Sequence, residues 1–190
     1  MVRLDKIVTK AGDGGKTRLA TGEPVSKASP RVEAYGAVDE ANSALGVARL
    51  HTGAEATLDP ILDRAQNDLF DLGADLATPE TETPLPYQPL RIQESQVLRL
   101  EAEIETLNEQ LSPLTSFVLP GGSAAAAHLH VARATMRRAE RAIVALAEVE
   151  RVSPEAIKFA NRMSDLLFVA ARWANDQGRA DILWVPGANR

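Results

Sequence analysis

The chain has 190 residues, no cysteine and a formal net charge of -5. That length holds one domain with a sizeable core and leaves little for a second. Without cysteine there are no disulfides, thiolate metal centres or cysteine nucleophiles, and the acidic balance excludes general nucleic-acid binding, which draws on a broad surplus of Lys and Arg. Aromatic residues are only 4% of the chain while alanine and leucine abound, so the composition favours helices over pleated surfaces. No segment approaches the roughly 20 apolar residues of a membrane span. The N-terminal Met1-Val-Arg-Leu-Asp-Lys-Ile7 reaches glycines before an apolar run of signal-peptide length can form. The expectation is a cytoplasmic protein with neither membrane nor nucleic acid as a partner.

Residues 1–28 lack helical periodicity and carry Gly12, Gly14, Gly15, Gly22 and Pro24, which reads as a glycine-rich arm. Ser29-Pro30 then starts a helix, with Ser as N-cap and Pro in the first turn, and Val32, Tyr35, Val38, Asn42 and Leu45 follow at helical spacing. This first helix is predicted over about residues 30 to 51. Leu58, Leu62, Ala65, Leu69, Leu72 and Leu76 form the stripe of a second. The prolines at 79, 84, 86 and 89 forbid a helix and mark an exposed connection. A third helix carries Val97, Leu100, Ile104, Leu107 and Leu111 and stops before Pro113. The fourth carries Leu129, Ala132, Met136, Ala139, Ile143 and Leu146 behind an expected Ser123 cap. The fifth opens at Ser153-Pro154 and runs through Phe159, Met163, Leu166, Ala170 and Trp173. The reading is all-α: one domain over 1–190, with an arm at 1–28, a five-helix bundle at 29–178 and a C-terminal tail at 179–190.

The chemistry lies beside the apolar stripe of the fourth helix. His130, Arg133, Arg137, Glu140 and Arg141 are three or four residues apart and share a polar face. Arginines beside a seam also serve as solvated cover for apolar surface, but Arg133, Arg137, Arg138 and Arg141 concentrate cations around a single Glu140. An anion site and a structural face paired with acids of a neighbouring helix then stand as equal readings. Gly121-Gly122-Ser123 exposes backbone amides at a helix start, which suits phosphate and is equally an ordinary turn. Gly12-Asp-Gly-Gly-Lys-Thr17 is not a P-loop, because Lys10 stands where the first glycine belongs and neither strand nor helix flanks it in the expected way. Its amides, with Thr9, Lys10, Lys16 and Thr17, can still wrap phosphates, and Asp13 can orient a donor or a hydrated Mg²⁺, although composition alone fits a plain disordered N-terminal tail at least as well. Asp39 follows Val38 of the first stripe, where a carboxylate calls for a cation such as those of the fourth helix. Asn161 stands at a half-buried position suited to a hydrogen bond, and Arg162 reads as a surface pairing residue.

Five ordered motifs carry a resemblance: Thr9-x-x-Gly-Asp-x-Gly-x-Thr17, Arg31-Val-Glu-Ala-Tyr-Gly-x-Val-Asp-Glu-x-Asn-Ser43, Phe117-Val-Leu-Pro-Gly-Gly-Ser123, Leu129-His-x-Ala-Arg133 with Arg137-Arg-Ala-Glu-Arg141, and Asn161-Arg-x-Ser-Asp165. Together they closely resemble the PduO-type ATP:cob(I)alamin adenosyltransferases, from Thr9 to Trp184. The resemblance implies a homotrimer with sites at subunit interfaces, transferring the 5′-deoxyadenosyl group of ATP to the cobalt of a reduced corrinoid, with Mg²⁺ alongside. It implies that the arm folds over ATP through Thr9, Lys10, Gly12, Asp13, Gly15, Lys16, Thr17 and Lys27, with Glu140 and Asn161 near the nucleotide. It further implies that Arg133 pairs with Asp39, that Arg133 and Arg137 serve ATP binding and catalysis, and that Phe117 excludes the lower axial ligand so that Co(II) becomes four-coordinate and easier to reduce. A flavin-dependent corrinoid reductase and an adenosylcobalamin-dependent acceptor enzyme are the implied partners. Ala11 departs from the polar residue common in relatives. Two other readings stand beside this one: a sensor that binds ATP and corrinoid without turnover, and a di-iron bundle, which the absence of any Glu-x-x-His disfavours. His128 and His130 read as a polar helix face.

Overall fold

A computed structural model describes residues 7–82 and 84–190. The first six residues of the expected arm, with the leader-free reading that rests on them, and Thr83 of the proline-rich connection lie outside the described residues. Five helices carry the fold: α1 (Pro30–Arg49), α2 (Leu58–Leu76), α3 (Glu94–Asn108), α4 (Ala124–Ala147) and α5 (Pro154–Trp173). Among the described residues, none of them is long and apolar enough to cross a membrane. α1 packs on α4 and α2, α4 also on α5, and α5 on α3. The stripes expected from the sequence meet in one core, in which every stripe residue of α2 and α4 is buried.

Local chemistry sets the helix ends. The Ser123 hydroxyl accepts from the Ala126 amide and that of Ser153 from the Ala156 amide, both at 3.1 Å, so each satisfies an otherwise orphaned donor. Ser29 occupies the N-cap of α1, yet its hydroxyl is buried without a partner and Pro30 alone marks the start. α3 ends at Asn108, before the expected Leu111, which still buries its side chain from the turn that follows. At the base of the proline-rich connection Arg91 Nη1 donates to Asp75 Oδ1 at 2.7 Å and to the Thr78 carbonyl at 2.6 Å, closing the loop on the C-terminal end of α2.

The arm contains a short antiparallel hairpin, β1 (Lys16–Arg18) and β2 (Pro24–Ser26), which the sequence reading did not contain. Its turn packs on the bundle through the buried Leu19 and through the Ala20 amide, which donates to the Ala77 carbonyl at 3.0 Å. The last residues are also tied down. The Trp184 amide donates to the Phe117 carbonyl at 2.8 Å and the Leu119 amide to the Ile182 carbonyl at 2.7 Å, so the tail zips onto the segment before α4.

A buried knot at the end of α5 fixes that pairing. Arg172 Nε donates to Asp181 Oδ2 at 2.8 Å and its Nη2 to the Ser112 carbonyl at 2.7 Å. The buried Asn175 accepts from the Ser123 amide at 2.9 Å and donates to the Gly121 carbonyl and Asp181 Oδ1, each at 3.2 Å. Gly122 lies against that carboxamide at φ +98°, where a Cβ would overlap it. Both the dihedral and the contact require glycine. Gly122→Ala should therefore cost ~3 kcal/mol in chemical denaturation; a change below ~0.5 kcal/mol would mean that Asn175 does not hold this turn.

Candidate functional site

The arm folds around a cleft of about 580 Å³ lined by Thr9, Ala11, Gly12, Lys16, Thr17, Arg18, Pro24 and Lys27. Five of the expected arm residues, Thr9, Gly12, Lys16, Thr17 and Lys27, thus face one space, together with Arg18 of β1. Arg18 was not among the expected residues: nothing in its spacing separates it from a solvated strand residue, and only the hairpin turns it inward. Its Nη1 donates to the Gly22 carbonyl at 2.8 Å, which holds the side chain. Lys10 and Gly15 adopt positive φ, and the Lys27 amide donates to the Gly15 carbonyl at 2.9 Å, so the glycine loop curls back on β2. Asp13 is exposed, and its side chain has no partner among the described residues. No group of three acids or histidines that could hold a metal ion occurs among the described residues.

α4 presents the second cluster. The Arg133 guanidinium is partly buried, its Nε lacks a partner, and burial followed by the charge of Arg137 pulls its pKa below the ordinary arginine value. Arg137 is exposed. Neither makes an ion pair among the described residues, whereas Arg138, pointing the other way, pairs with Glu40 and, at 3.6 Å, with Glu33. Arg133 and Arg137 are thus left open on a helix whose single acid, Glu140, is engaged by Asn161, a condition that an incoming anion relieves. Glu140 accepts from Asn161 Nδ2 at 2.9 Å, which joins two expected nucleotide residues across α4 and α5.

Three expectations need correction. Asp39 is exposed and meets no cation among the described residues, because a 100° helical step carries it from the buried Val38 toward solvent. It lies instead on an apolar groove of about 480 Å³ between α1 and α2, which also holds Tyr35, Val38 and the 70% exposed Phe70. His130 does not belong to a polar face: it is 2% exposed beside Phe168, with neither ring nitrogen partnered, and burial followed by Arg133 holds its pKa down, so the ring is neutral at neutral pH. The Ser123 amide is taken by Asn175, which removes it from the phosphate-binding reading of the Gly-Gly-Ser turn.

Phe117 stands 77% exposed on the braced segment, its ring tilted against Trp184 with centroids 6.0 Å apart. The arm cleft is lined by no residue of α4, so within one chain the two clusters do not share a pocket.

Fold and site together define a helical bundle equipped for a polyphosphate, with an exposed aromatic beside its cation-bearing helix. Residues 7–174 match the family model described as cobalamin adenosyltransferase, and the chain belongs to that family. It is 46% identical over 191 aligned positions to the corrinoid adenosyltransferase of Mycobacterium bovis, covering 100% of this chain and 97% of that protein. It is 39% identical to that of Bacillus subtilis, covering 90% and 86% respectively. Among solved structures, a single-substitution variant of the PduO-type ATP:corrinoid adenosyltransferase from Lactobacillus reuteri, complexed with cobalamin and ATP, superposes with a TM-score of 0.84 at 38% identity, covering 94% of this chain and 99% of that one.

Gly12 sets a test of the arm. A Cβ there would fall 2.8 Å from Lys27 Nζ, and the mobile ammonium rather than the backbone would yield. Gly12→Ala should leave stability within about 0.5 kcal/mol while weakening ATP binding roughly tenfold through the displaced charge-assisted contact; unchanged binding in an ATP titration would remove Lys27 from the site.

Proposed function

We propose that this protein transfers the 5′-deoxyadenosyl group of ATP to the cobalt of a reduced corrinoid, releasing triphosphate. Family membership carries the reading, and the two open arginines of α4 support it. Co(I) is a strong nucleophile. It attacks C5′, a Co–C bond forms, the C5′–O bond breaks, and its electron pair leaves with triphosphate. No side-chain nucleophile or general base is needed. The protein's tasks are to align the two substrates and to stabilise charge on the leaving group, for which Arg133 and Arg137 are suited by being unpaired. Thr9, Lys10, Gly12, Asp13, Gly15, Lys16, Thr17 and Lys27 wrap the phosphates, and Glu140 and Asn161 meet the nucleoside. The described residues hold no group of three acids or histidines that would make a metal site of their own, so Mg²⁺ would enter on the ATP phosphates, where it needs few protein ligands, and no step is routed through it. The exposed ring of Phe117 is the group that displaces the lower axial ligand of Co(II).

The working unit is a homotrimer. Among the described residues of one chain Asp39 is exposed and Arg133 makes no ion pair, so the pairing implied by the family resemblance joins Asp39 of one copy to Arg133 of the next. That contact sets the apolar Phe70 groove at the shared interface, beside a ligand whose macrocycle offers a broad apolar face. Because the substrate is Co(I), a flavin-dependent corrinoid reductase must precede the enzyme and an adenosylcobalamin-dependent enzyme must follow it, all in the cytoplasm.

An anaerobic assay with chemically reduced cobalamin, ATP and Mg²⁺ should yield a light-sensitive adenosylated corrinoid and equimolar triphosphate. ATP bound without either product, while Co(I) is demonstrably present, would make the protein a sensor. Phe117→Ala should spare transfer to chemically generated Co(I) while slowing reaction from Co(II) with a reductase at least roughly a hundredfold, since a four-coordinate state is lost. Equal losses in the two assays would contradict the role of Phe117.

A further inference from the structure

The carboxamide of Asn161 is held between two partners of opposite character. Its Nδ2 donates to Glu140 Oε1 at 2.9 Å, and its Oδ1 accepts from Arg162 Nη1 at 2.5 Å. An ionised carboxylate only accepts and a guanidinium only donates, so one of the two orientations of the amide satisfies both neighbours and its 180° flip satisfies neither. Arg162 is fixed in turn from a third helix. Its Nε donates to Glu101 Oε1 of α3 at 2.8 Å, and its Nη1 lies 3.5 Å from Asp165 Oδ2 on α5. The Glu101 hydrogen bond, ahead of the charges of Glu101 and Asp165, raises the pKa of this guanidinium. A relay therefore runs from α3 through α5 to the nucleotide face of α4. At its end Glu140 Oε2 makes no hydrogen bond within the described residues.

We propose that Arg162, held by Glu101, is a positioning residue for the nucleotide: it locks the Asn161 carboxamide so that Glu140 keeps one oxygen occupied and the other open to a hydroxyl or amino group of the nucleoside. This rests on the reading of Glu140 and Asn161 as nucleotide residues. An exposed Arg162–Glu101 pair that served only the fold would contribute little and touch neither substrate. Acting through Asn161, Arg162 instead has an effect on ATP alone, and that effect vanishes once Asn161 is gone.

The test measures ATP dissociation constants and thermal midpoints for the full-length protein and for Asn161→Ala, Arg162→Ala, Glu101→Gln and the Asn161→Ala/Arg162→Ala double variant. Asn161→Ala and Arg162→Ala should each weaken ATP binding about tenfold, as expected for loss of a charge-assisted hydrogen bond, with the corrinoid KM unchanged. The double variant should bind no worse than Asn161→Ala. Should Arg162→Ala not fold, Glu101→Gln combined with Asn161→Ala repeats the same cycle. ATP binding unaffected by Arg162→Ala, or losses that add in the double variant, would overturn the positioning role while leaving Asn161 in the site. Normal ATP binding by Asn161→Ala would refute the nucleotide reading of Asn161 itself, and the positioning role with it.

Discussion

The buried contact between Arg172 and Asp181 is the constraint from which the shape of the site follows. Both side chains are withdrawn from water, and removing either would strand a charge at a cost of about 3–5 kcal/mol. Their geometry holds the chain after α5 in place, which sets Asn175 against the Gly-Gly-Ser turn and therefore fixes the first residue of α4. From that origin the helix repeat decides where Arg133 and Arg137 emerge. The same knot carries the tail back along the segment before α4, so Phe117 is presented on a braced strand-like stretch rather than on a free loop.

The distribution of charge follows a division of labour. Most arginines outside the site are engaged: Arg49 with Asp59 and Asp63, Arg64 with Glu103, Arg99 with Asp68, Arg91 with Asp75. These pairs tie helices to one another and to the connection before α3, and their charges neutralise one another. Arg133 and Arg137 stand apart from that pattern, and the buried neutral His130 beneath them adds no positive charge to an already cationic face. In a chain of net charge -5, a local concentration of unpaired guanidinium groups is suited to a multiply charged leaving group.

The helices were legible because each writes its buried face as a three-four repeat of leucine and alanine, with Ser-Pro and Gly-Gly-Ser marking starts. Leu129, Ala132, Met136 and Ala139 of α4 could be named as core from spacing alone. Contacts between residues far apart in sequence were not legible. Nothing local joins Arg172 to Ser112 or Trp184 to Phe117, and the hairpin strands are three residues each, too short for alternation to register. Asp39 and His130 misled for a related reason: one helical step separates buried from exposed, so the exposed Asp39 lay next to a core valine, while His130 turned inward among arginines. The arm residues were recognisable only as a motif, and the hairpin that turns Arg18 and Lys27 toward one cleft supplies the geometry that the motif lacks.

The central claim is that two copies of the chain build each site, Asp39 from one and Arg133 from the other. It is tested most directly by co-expressing Asp39→Ala and Arg133→Ala subunits, each inactive alone, and measuring adenosyl transfer by the mixed assembly. Random assembly should restore about a quarter of the wild-type sites, because one interface in four then receives both intact residues. A mixture as inactive as either parent would contradict a shared site and return both residues to a single chain.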